Sequence, residues 1–275
     1  MSYRRDKMNI RKAVVSGQFY PGNPDTLRKT VRSFIKVPES LLEAKAVIAP
    51  HAGYIYSGAV AGEVFSSVRL PSRMLFLCPN HTGIGDALAL APAGEWETPL
   101  GRVHVDAELN ERLLEECHFL REDASAHRYE HSIEVQLPFI QELLPEFSFS
   151  AICIGTIDYS ALETLGHAMS RVILSRREPL LLVVSSDMTH YLPAERTAQL
   201  DGLAIARVRE LDPEGLYKTV MENDISMCGF APAAAALVAC RDLAAVSGKL
   251  LRYANSGETS GDYDRVVAYV GMVIN

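Results

Sequence analysis

The sequence predicts one α/β domain over residues 1–275, with a mostly parallel central sheet and helices on both faces. Short aliphatic runs alternate with helical stretches along the chain, which is the pattern of a parallel sheet covered by helices. One run, Leu180–Ser185, is almost wholly aliphatic, as is typical of a central strand buried on both sides. No low-complexity linker or internal repeat divides the 275 residues, and α/β folds often reach this length as one domain.

Capping residues and apolar spacing define the first elements. Residues 13–22 predict a short strand and turn, after which Asn23 offers an N-cap and Pro24 occupies the first helical position. The apolar residues of the following helix recur on one face: Leu27, Val31, Phe34 and Ile35. Two buried strands with a helix between them come next: 45–50, 57–68 and 73–79.

The middle of the chain predicts shorter strands and a further capped helix. Two short strands, 88–91 and 103–105, border a loop that holds the only tryptophan, Trp96. Asp106 is expected to cap the next helix, because its carboxylate can accept a hydrogen bond from a free backbone N–H of the first turn. The apolar residues of that helix share a spacing typical of a buried face: Leu109, Leu113 and Leu114.

The same alternation continues to the end of the sequence. Residues 131–144 predict a helix that Pro138 kinks or restarts, and 149–157 predict a third buried strand. Asp158 caps a helix that runs through Leu174. After the aliphatic strand, three helices and two strands complete the pattern: helices at about 194–211, 213–222 and 231–243, and strands near 250–254 and 265–274.

Charge and cysteine content exclude several classes of function. The net charge of -7 and the pI near 5.6 argue against a nucleic-acid surface, which usually needs a basic patch. A basic cluster near the start is interpreted as a solvated chain end: Arg4, Arg5, Lys7, Arg11 and Lys12. No signal-peptide core and no apolar run of the ~20 residues that cross a bilayer are found, so no membrane contact is expected. Five cysteines without a CxxC pair indicate reduced thiols in a cytoplasmic protein.

Three strand-like runs each end on a histidine. The histidines are His51 after Ala49-Pro50, His81 after Pro79-Asn80, and His190 shortly after the strand that ends at Ser185. Side chains just past the carboxyl ends of parallel strands meet in one crevice, so we expect the three histidines to lie close together. Two imidazoles are a common start for a zinc, copper or iron site. The alternative for each is a loop histidine that is hydrogen-bonded to backbone.

Two further residues are candidates for the same crevice. Asp187 precedes His190 by three residues, and a carboxylate near a histidine can fix its tautomer and raise its basicity, as a general base requires. Cys228 stands just before an alanine-rich helix, where a thiol gains thiolate character and can bind a metal or attack an electrophile. The alternatives are a helix-capping aspartate and a buried structural cysteine.

An acidic and histidine cluster, Glu130, His131 and Glu134, stands at the start of a predicted helix. Positions i, i+3 and i+4 share a helix face, so these side chains can point into the crevice. They can equally form surface ion pairs, because acidic residues suit the N-terminal end of a helix. The sequence leaves both readings open.

Six short motifs, taken in order, resemble those of the Memo family, whose prokaryotic members are known as AmmeMemoRadiSam system protein B. They run from about residue 10 to the C-terminal end: Gly17–Pro21, Ala49–Tyr54, Cys78–His81, Glu130–Glu134, Ser185–His190 and Met227–Gly229. The family resembles class III extradiol dioxygenases in fold. Those enzymes hold non-haem Fe(II) with two histidines and a carboxylate, and use a further histidine as acid and base.

The resemblance implies a role for each candidate residue. His51 and His81 would be the imidazole ligands, Cys228 the third ligand in place of a carboxylate, and His190 the acid–base residue oriented by Asp187. A thiolate changes the potential and softness of the site, so the divalent metal expected is iron first, with copper or zinc as alternatives. Tyr54, His131 and Glu134 would line the pocket or contact the ligand residues.

Two classes of function follow. The first is a metal-dependent oxidoreductase that acts on a small molecule with dioxygen. The second is a binding module for a peptide or small ligand that kept the dioxygenase-like pocket without turnover. A weaker third reading uses Cys228 as nucleophile and His190 as base. The resemblance also implies a pathway shared with an AMMECR-type protein and a radical SAM protein.

Overall fold

A computed structural model describes residues 9–275, and their strands form one mixed sheet. The strands are β1 (Ile10–Arg11), β2 (Ala46–Ala49), β3 (Arg73–Pro79), β4 (Leu88–Leu90), β5 (Glu95–Thr98), β6 (Gly101–Val105), β7 (Arg121–Glu122), β8 (Ser148–Ile154), β9 (Leu181–Ser185), β10 (Asp187–Leu192), β11 (Gly248–Asn255) and β12 (Val266–Ile274). The helices are α1 (Pro24–Phe34), α2 (Tyr54–Ser67), α3 (Ala107–Glu116), α4 (Ala124–His127), α5 (Leu137–Leu143), α6 (Tyr159–Leu174), α7 (Ala194–Arg209), α8 (Pro213–Glu222), α9 (Phe230–Asp242) and α10 (Gly257–Ser260).

The centre of the sheet is parallel and its flanks are antiparallel. Five neighbouring strands, in the order β6-β8-β3-β9-β2, pair in parallel, whereas β12 runs antiparallel to β2, β10 and β11. Alternate strand residues enter two separate apolar cores, as the period of two requires. Ile48 and Leu75 face the core beneath α6 and α9, and Val47 and Phe76 face the core beneath α1, α2 and α5. The predicted α/β fold class is confirmed.

Three local expectations are corrected by the structure. Trp96 lies in strand β5 and not in a loop, because its backbone pairs with Val103. Residues 131–136 form turns instead of helix, and Pro138 stands in the first turn of α5, where its missing N–H costs nothing. Strand β10, Asp187–Leu192, was not predicted from the sequence.

Two findings bear on the composition. Arg4, Arg5 and Lys7 of the basic cluster lie outside the described residues, whereas Arg11 and Lys12 are engaged in ion pairs with Glu134 and Glu97. No helix within residues 9–275 combines the length and apolar character needed to span a membrane.

The parallel strands place the histidine loops at one edge of the sheet. Strands β2, β3 and β9 are neighbours, and they end at Ala49, Pro79 and Ser185. Their carboxyl ends therefore open onto the same crevice. Strand β10 begins directly after Ser186 and pairs antiparallel with β12, so it continues in the direction of β9 and carries Asp187 and His190 beyond the carboxyl end of that strand.

Candidate metal centre

Three candidate ligands converge at the carboxyl end of the sheet. The ligand atoms of His51, His81 and Cys228 all lie within 4.8 Å of one another. The Nε2 atom of His51 lies 3.2 Å from the Sγ atom of Cys228, and the two histidine rings are 5.1 Å apart between centroids. Residues that are 177 positions apart in the chain thus share one small site.

A network of buried polar groups fixes the His51 ring. The Nδ1 atom lies 2.8 Å from the Ser185 hydroxyl, which donates to the Ser132 carbonyl and accepts from the Gln136 side-chain amide. Because the single proton of the Ser185 hydroxyl is already donated to Ser132, Nδ1 of His51 must donate in the bond between His51 and Ser185. The Nε2 lone pair is then left facing Cys228. Burial lowers the pKa of His51 well below its ordinary value, which keeps the ring neutral as a metal ligand requires.

A carboxylate fixes the His81 ring. The Nδ1 atom lies 3.0 Å from Oε1 of Glu130, and the backbone N–H of His81 donates to the other carboxylate oxygen at 2.7 Å. Burial lowers the pKa of His81, but the hydrogen bond and the charge of Glu130 outweigh it, so the pKa is raised. Burial opposes ionisation of Glu130, but its bonds to His81 and Ser132 hold its pKa far below the usual range. Nε2 is again the nitrogen available to a ligand.

Cys228 reaches the site from the turn before α9. Its sulfur accepts a hydrogen bond from the backbone N–H of Asp187 at 3.2 Å, and the next residue, Gly229, donates its N–H to the Ser186 hydroxyl. Burial raises the pKa of the Cys228 thiol above its ordinary value. A metal ion would reverse this, since a coordinated thiol loses its proton. The Cys228 sulfur contacts His51 and not His190, the base that a nucleophilic cysteine was expected to use. This contact and the raised pKa of the thiol argue against Cys228 as a free nucleophilic thiolate.

Asp187 supports the His51 loop and does not orient His190, which corrects the sequence-based expectation. Its Oδ1 atom accepts a hydrogen bond from the backbone N–H of His51 at 2.8 Å. Burial raises the pKa of the carboxyl to about 7, against the opposing effect of that bond. The reason for the correction is geometric: in strand β10, Asp187 and His190 are separated by a register shift and bond to different partners.

His190 is oriented by the residues before α9. Its Nδ1 atom lies 2.9 Å from the Ser226 carbonyl, and its backbone N–H donates to the Ser226 hydroxyl. A carbonyl can only accept, so Nδ1 carries the proton and Nε2 is a free base. Burial lowers the pKa of His190, so the ring is neutral near pH 7 and able to take up a proton.

Of the three remaining candidates, only His131 reaches the crevice. Its ring stacks on His81 with centroids 5.0 Å apart and contacts the edge of His51. Burial lowers the pKa of His131. With His81 and Glu130 it forms a second group of potential ligand atoms. Glu130 is already committed to His81, so we assign this second group to support of the first.

Glu134 and Tyr54 are placed away from the crevice, contrary to expectation. Glu134 is fully buried and accepts hydrogen bonds from the N–H groups of Val14 and Val15, from the Tyr20 hydroxyl and from Arg11. It therefore anchors the chain segment before α1. Tyr54 packs in the core against Phe139, and its hydroxyl donates to the Val135 carbonyl at 2.6 Å.

Sequence reasoning missed the supporting residues Ser132, Gln136, Ser185 and Ser226. Ser132, Gln136 and Ser185 are fully buried polar residues. A buried polar group needs a partner, so the pair of serines that ends an aliphatic strand was a usable signal. Gln136 stands between Val135 and Leu137, where an amide in an apolar run indicated a buried hydrogen bond in the same way. Ser226 carried no such signal.

Comparison with known proteins identifies the family of this chain. The family described as "Memo-like protein" matches residues 11–273. The chain belongs to the Memo family. A Memo relative from Aquifex aeolicus, a "MEMO1 family protein", is 39% identical over 268 residues, which cover 97% of this chain and 99% of the relative. A second relative, from Methanopyrus kandleri, is also 39% identical, and the alignment covers 96% of this chain and 98% of the relative.

A solved structure supports the fold alone. The crystal structure of the uncharacterized protein JW3007 from Escherichia coli K12 superposes on this Memo chain with a TM-score of 0.55. The superposition covers 82% of the Memo chain and 98% of JW3007. Sequence identity is only 12%, so the two chains share an architecture, and nothing about chemistry follows from the likeness.

Proposed function

We propose that this Memo protein is a metal-dependent oxidoreductase that acts on a small molecule, with a divalent metal held by His51, His81 and Cys228. The observation that carries the proposal is the convergence of three ligand atoms within 4.8 Å. In both histidines Nδ1 is engaged by a protein partner, which leaves Nε2 for the metal. Such outer partners are what orient histidine ligands in metal proteins. Two imidazoles and a thiolate suit iron, copper or zinc, and we place iron first.

Side chains of this protein transfer protons and position the metal ligands. A bound redox metal would supply the electron transfer, and the side chains manage protons and position. His190 accepts or returns a proton at Nε2, because its Nδ1 atom is tied to the Ser226 carbonyl. Asp187 holds the His51 backbone by accepting the hydrogen bond from its N–H. His131 covers one side of the site and limits the entry of water.

A second candidate, a binding module without turnover, is favoured by one observation. The third ligand position is held by Cys228 and not by the carboxylate that dioxygen-activating triads use. In this case the same crevice would bind a peptide or a small ligand. Dioxygen consumption by the metal-loaded protein would decide for the oxidoreductase.

Metal analysis tests the site directly. We expect protein purified anaerobically without chelator to contain close to one metal per chain, measured by inductively coupled plasma mass spectrometry. His51→Ala, His81→Ala and Cys228→Ala should each lose most of it. His104→Ala is the matched control, because the side chain of His104 is 67% exposed on strand β6. Unchanged metal content in all three site variants would disprove the metal centre.

The cellular setting is part of the same proposal. All five cysteines are free, and four of them are buried in the core. We place the protein in the cytoplasm, where thiols remain reduced and Cys228 stays available as a ligand. We also propose that residues 1–275 act as one domain, because a single sheet runs through the described part of the chain.

A further inference from the structure

Tyr191 has a strained backbone beside the proposed acid–base residue. Its φ of 63° lies in the left-handed region, which a residue with a side chain rarely adopts. The other non-glycine residues with positive φ within residues 9–275, namely Leu211, Asp224 and Ala244, follow the ends of helices, where this conformation is ordinary. Tyr191 instead lies in strand β10, at the register shift between His190 and Leu192 in the pairing with β12, and bulges of this kind redirect a side chain. Strain of this kind persists where the surroundings impose it, and it is concentrated at functional sites.

The strained backbone exposes the tyrosine ring beside His190. Tyr191 is 63% exposed, although it directly follows the partly buried His190. The two rings are 5.7 Å apart between centroids. The Tyr191 ring is thus a surface that a molecule close to His190 can contact.

Arg265 adds a positive charge to this surface. Its guanidinium carbon lies 5.8 Å from the centre of the Tyr191 ring, a cation–π arrangement. Within residues 9–275 the Arg265 side chain makes neither an ion pair nor a hydrogen bond. Asp262 and Asp264 precede it on the same loop, and neither carboxylate forms an ion pair with Arg265; Asp262 instead accepts the backbone N–H of Asp264 at 2.9 Å. An arginine without a carboxylate partner is notable in a chain of net charge -7.

Apolar side chains are also exposed at the start of α2, and this end of α2 is linked to the helix before Arg265. Ile55 is 69% exposed and Tyr56 is 39% exposed, and both follow closely on His51. The Thr259 hydroxyl donates to the Ile55 carbonyl at 3.1 Å, which ties α10 to α2. The surface near His51 and His190 therefore offers exposed apolar side chains and one unpaired cation.

We infer that Tyr191 and Arg265 select an organic oxyanion as the molecule that enters the crevice: a small compound with a flat apolar part and one carboxylate or phosphate group. The flat part lies against Tyr191, and the oxyanion accepts hydrogen bonds from the arginine fork, which matches both groups in geometry. This inference rests on the proposed function for the identity of the site. It goes further by naming the substrate class.

Binding of two simple anions tests the inference. We expect benzoate or phenyl phosphate to bind the purified protein and to shift the NMR signals of Tyr191 and Arg265, whereas neutral benzyl alcohol binds at least tenfold more weakly. Comparison of the two anions shows whether the carboxylate or the phosphate is preferred. Binding should weaken as salt is added, because the cation is exposed.

Variants separate recognition from folding. Arg265→Gln should lower the affinity for the preferred anion about tenfold or more, and Arg265→Lys should keep part of it. Arg177→Gln is the matched control, since Arg177 is exposed, unpaired within residues 9–275 and located before β9 at the other edge of the sheet. Tyr191→Gly should keep or raise the thermal stability, because glycine adopts φ 63° freely, and still weaken anion binding.

The inference fails if neither anion binds at millimolar concentration, if benzyl alcohol binds equally well, or if Arg265→Gln binds like the wild type. Metal content is measured on the same samples. A wild-type protein that binds anions through Arg265 but holds no metal would disprove the metal centre and leave the anion site standing. Loss of metal in Arg265→Gln would count against the inference, because Arg265 would then act on the metal centre itself.

Discussion

The two histidine rings of the candidate metal centre are held by chemically different partners. His51 donates to the Ser185 hydroxyl, and its pKa falls because of burial. His81 faces the Glu130 carboxylate, whose charge raises its pKa in spite of burial. A charged partner makes an imidazole a stronger electron donor than a neutral one does. The candidate site therefore contains one imidazole of lowered and one of raised basicity.

Removal of the charge beside His81 should weaken metal binding. We expect Glu130→Gln to lower metal affinity by about 10- to 100-fold, as loss of outer partners does in other metal sites. A competition titration against a chromophoric chelator measures the change. Glu97→Gln serves as the comparison, because Glu97 pairs with Lys12 on the surface. Equal affinities of the two variants would show that Glu130 has no influence on the metal.

His127 should make stability depend on pH on the acid side. Burial lowers its folded-state pKa from 6.5 to about 4. As the pH falls, the unfolded chain takes up this proton first, so stability is lost between about pH 6.5 and pH 4, by roughly 3 kcal/mol. Urea denaturation at a series of pH values measures the slope. His127→Gln should be less stable at pH 7 and show a shallower slope, and a slope unchanged from wild type would contradict the assignment.

At the scale of elements, the turn between α4 and α5 holds the site together. This turn, residues 128–136, carries Glu130, His131 and Ser132 toward the crevice. Arg11 clamps it from β1 by donating to the carbonyls of His127 and Glu130 and to the Glu134 carboxylate. The Arg11 guanidinium also lies 4.2 Å from the centre of the Trp96 ring. The start of the described chain thus fixes a turn more than a hundred residues away.

Loss of this clamp should be costly. The side chains of Arg11 and Glu134 are 10% and 0% exposed, so Arg11→Ala leaves a buried carboxylate without its counter-charge. We expect a loss of about 3 kcal/mol in the free energy of unfolding, measured with urea. The neighbouring pair of Lys12 and Glu97 is exposed, so Lys12→Ala should cost under ~1 kcal/mol. Similar losses for the two variants would refute a buried clamp.

The turn before α9 depends on a close approach of backbone. A side chain at Gly229 would collide with the carbonyl of Ser185 and with the side chain of Ser186. Gly229→Ala should therefore displace Cys228, lowering both metal affinity and thermal stability. Gly202→Ala, on the open face of α7, should stabilise the helix by about 0.5–1 kcal/mol and leave metal binding unchanged. Normal metal affinity in Gly229→Ala would show that the close packing does not position the thiol.

For the whole molecule, the sheet joins two apolar cores into one unit. Strands β2, β3, β8 and β9 contribute alternate residues to both cores. The candidate metal centre lies at the strand ends between them, and its potential ligands come from the loops after β2 and β3 and from the turn before α9. Neither core can then unfold without the loss of the site.

We therefore expect a single thermal transition that depends on metal. Circular dichroism and tryptophan fluorescence should report the same midpoint, because both cores share the sheet. Free metal at 100 times its dissociation constant should stabilise the folded state by about 2.7 kcal/mol. His51→Ala should remove this stabilisation. Two separate transitions would show that the chain is divided into independent units.

The sequence by itself determined the fold class, the family and the convergence of His51 and His81. It could do so because parallel strands are recorded locally, as aliphatic runs that end on Pro50-His51, Pro79-Asn80-His81 and Ser185. The period of the pattern and the position of each proline suffice to place these residues at one edge of a sheet. Capping residues such as Asn23 and Asp158 likewise act within a few positions of the chain and were predicted where they occur.

Only the tertiary structure decided which polar side chains meet. Strand β10 has a polar sequence without the alternation typical of a strand, and it forms because β12 pairs with it. The sequence therefore did not predict β10, and it assigned Asp187 to His190, whereas the Asp187 carboxylate binds the backbone N–H of His51. Glu134 and His131 are three residues apart, yet one anchors the chain before α1 and the other faces the crevice. A helix would have set them on one face, but this segment forms turns. The direction of a side chain in a turn depends on contacts with distant segments, and no local pattern encodes those contacts.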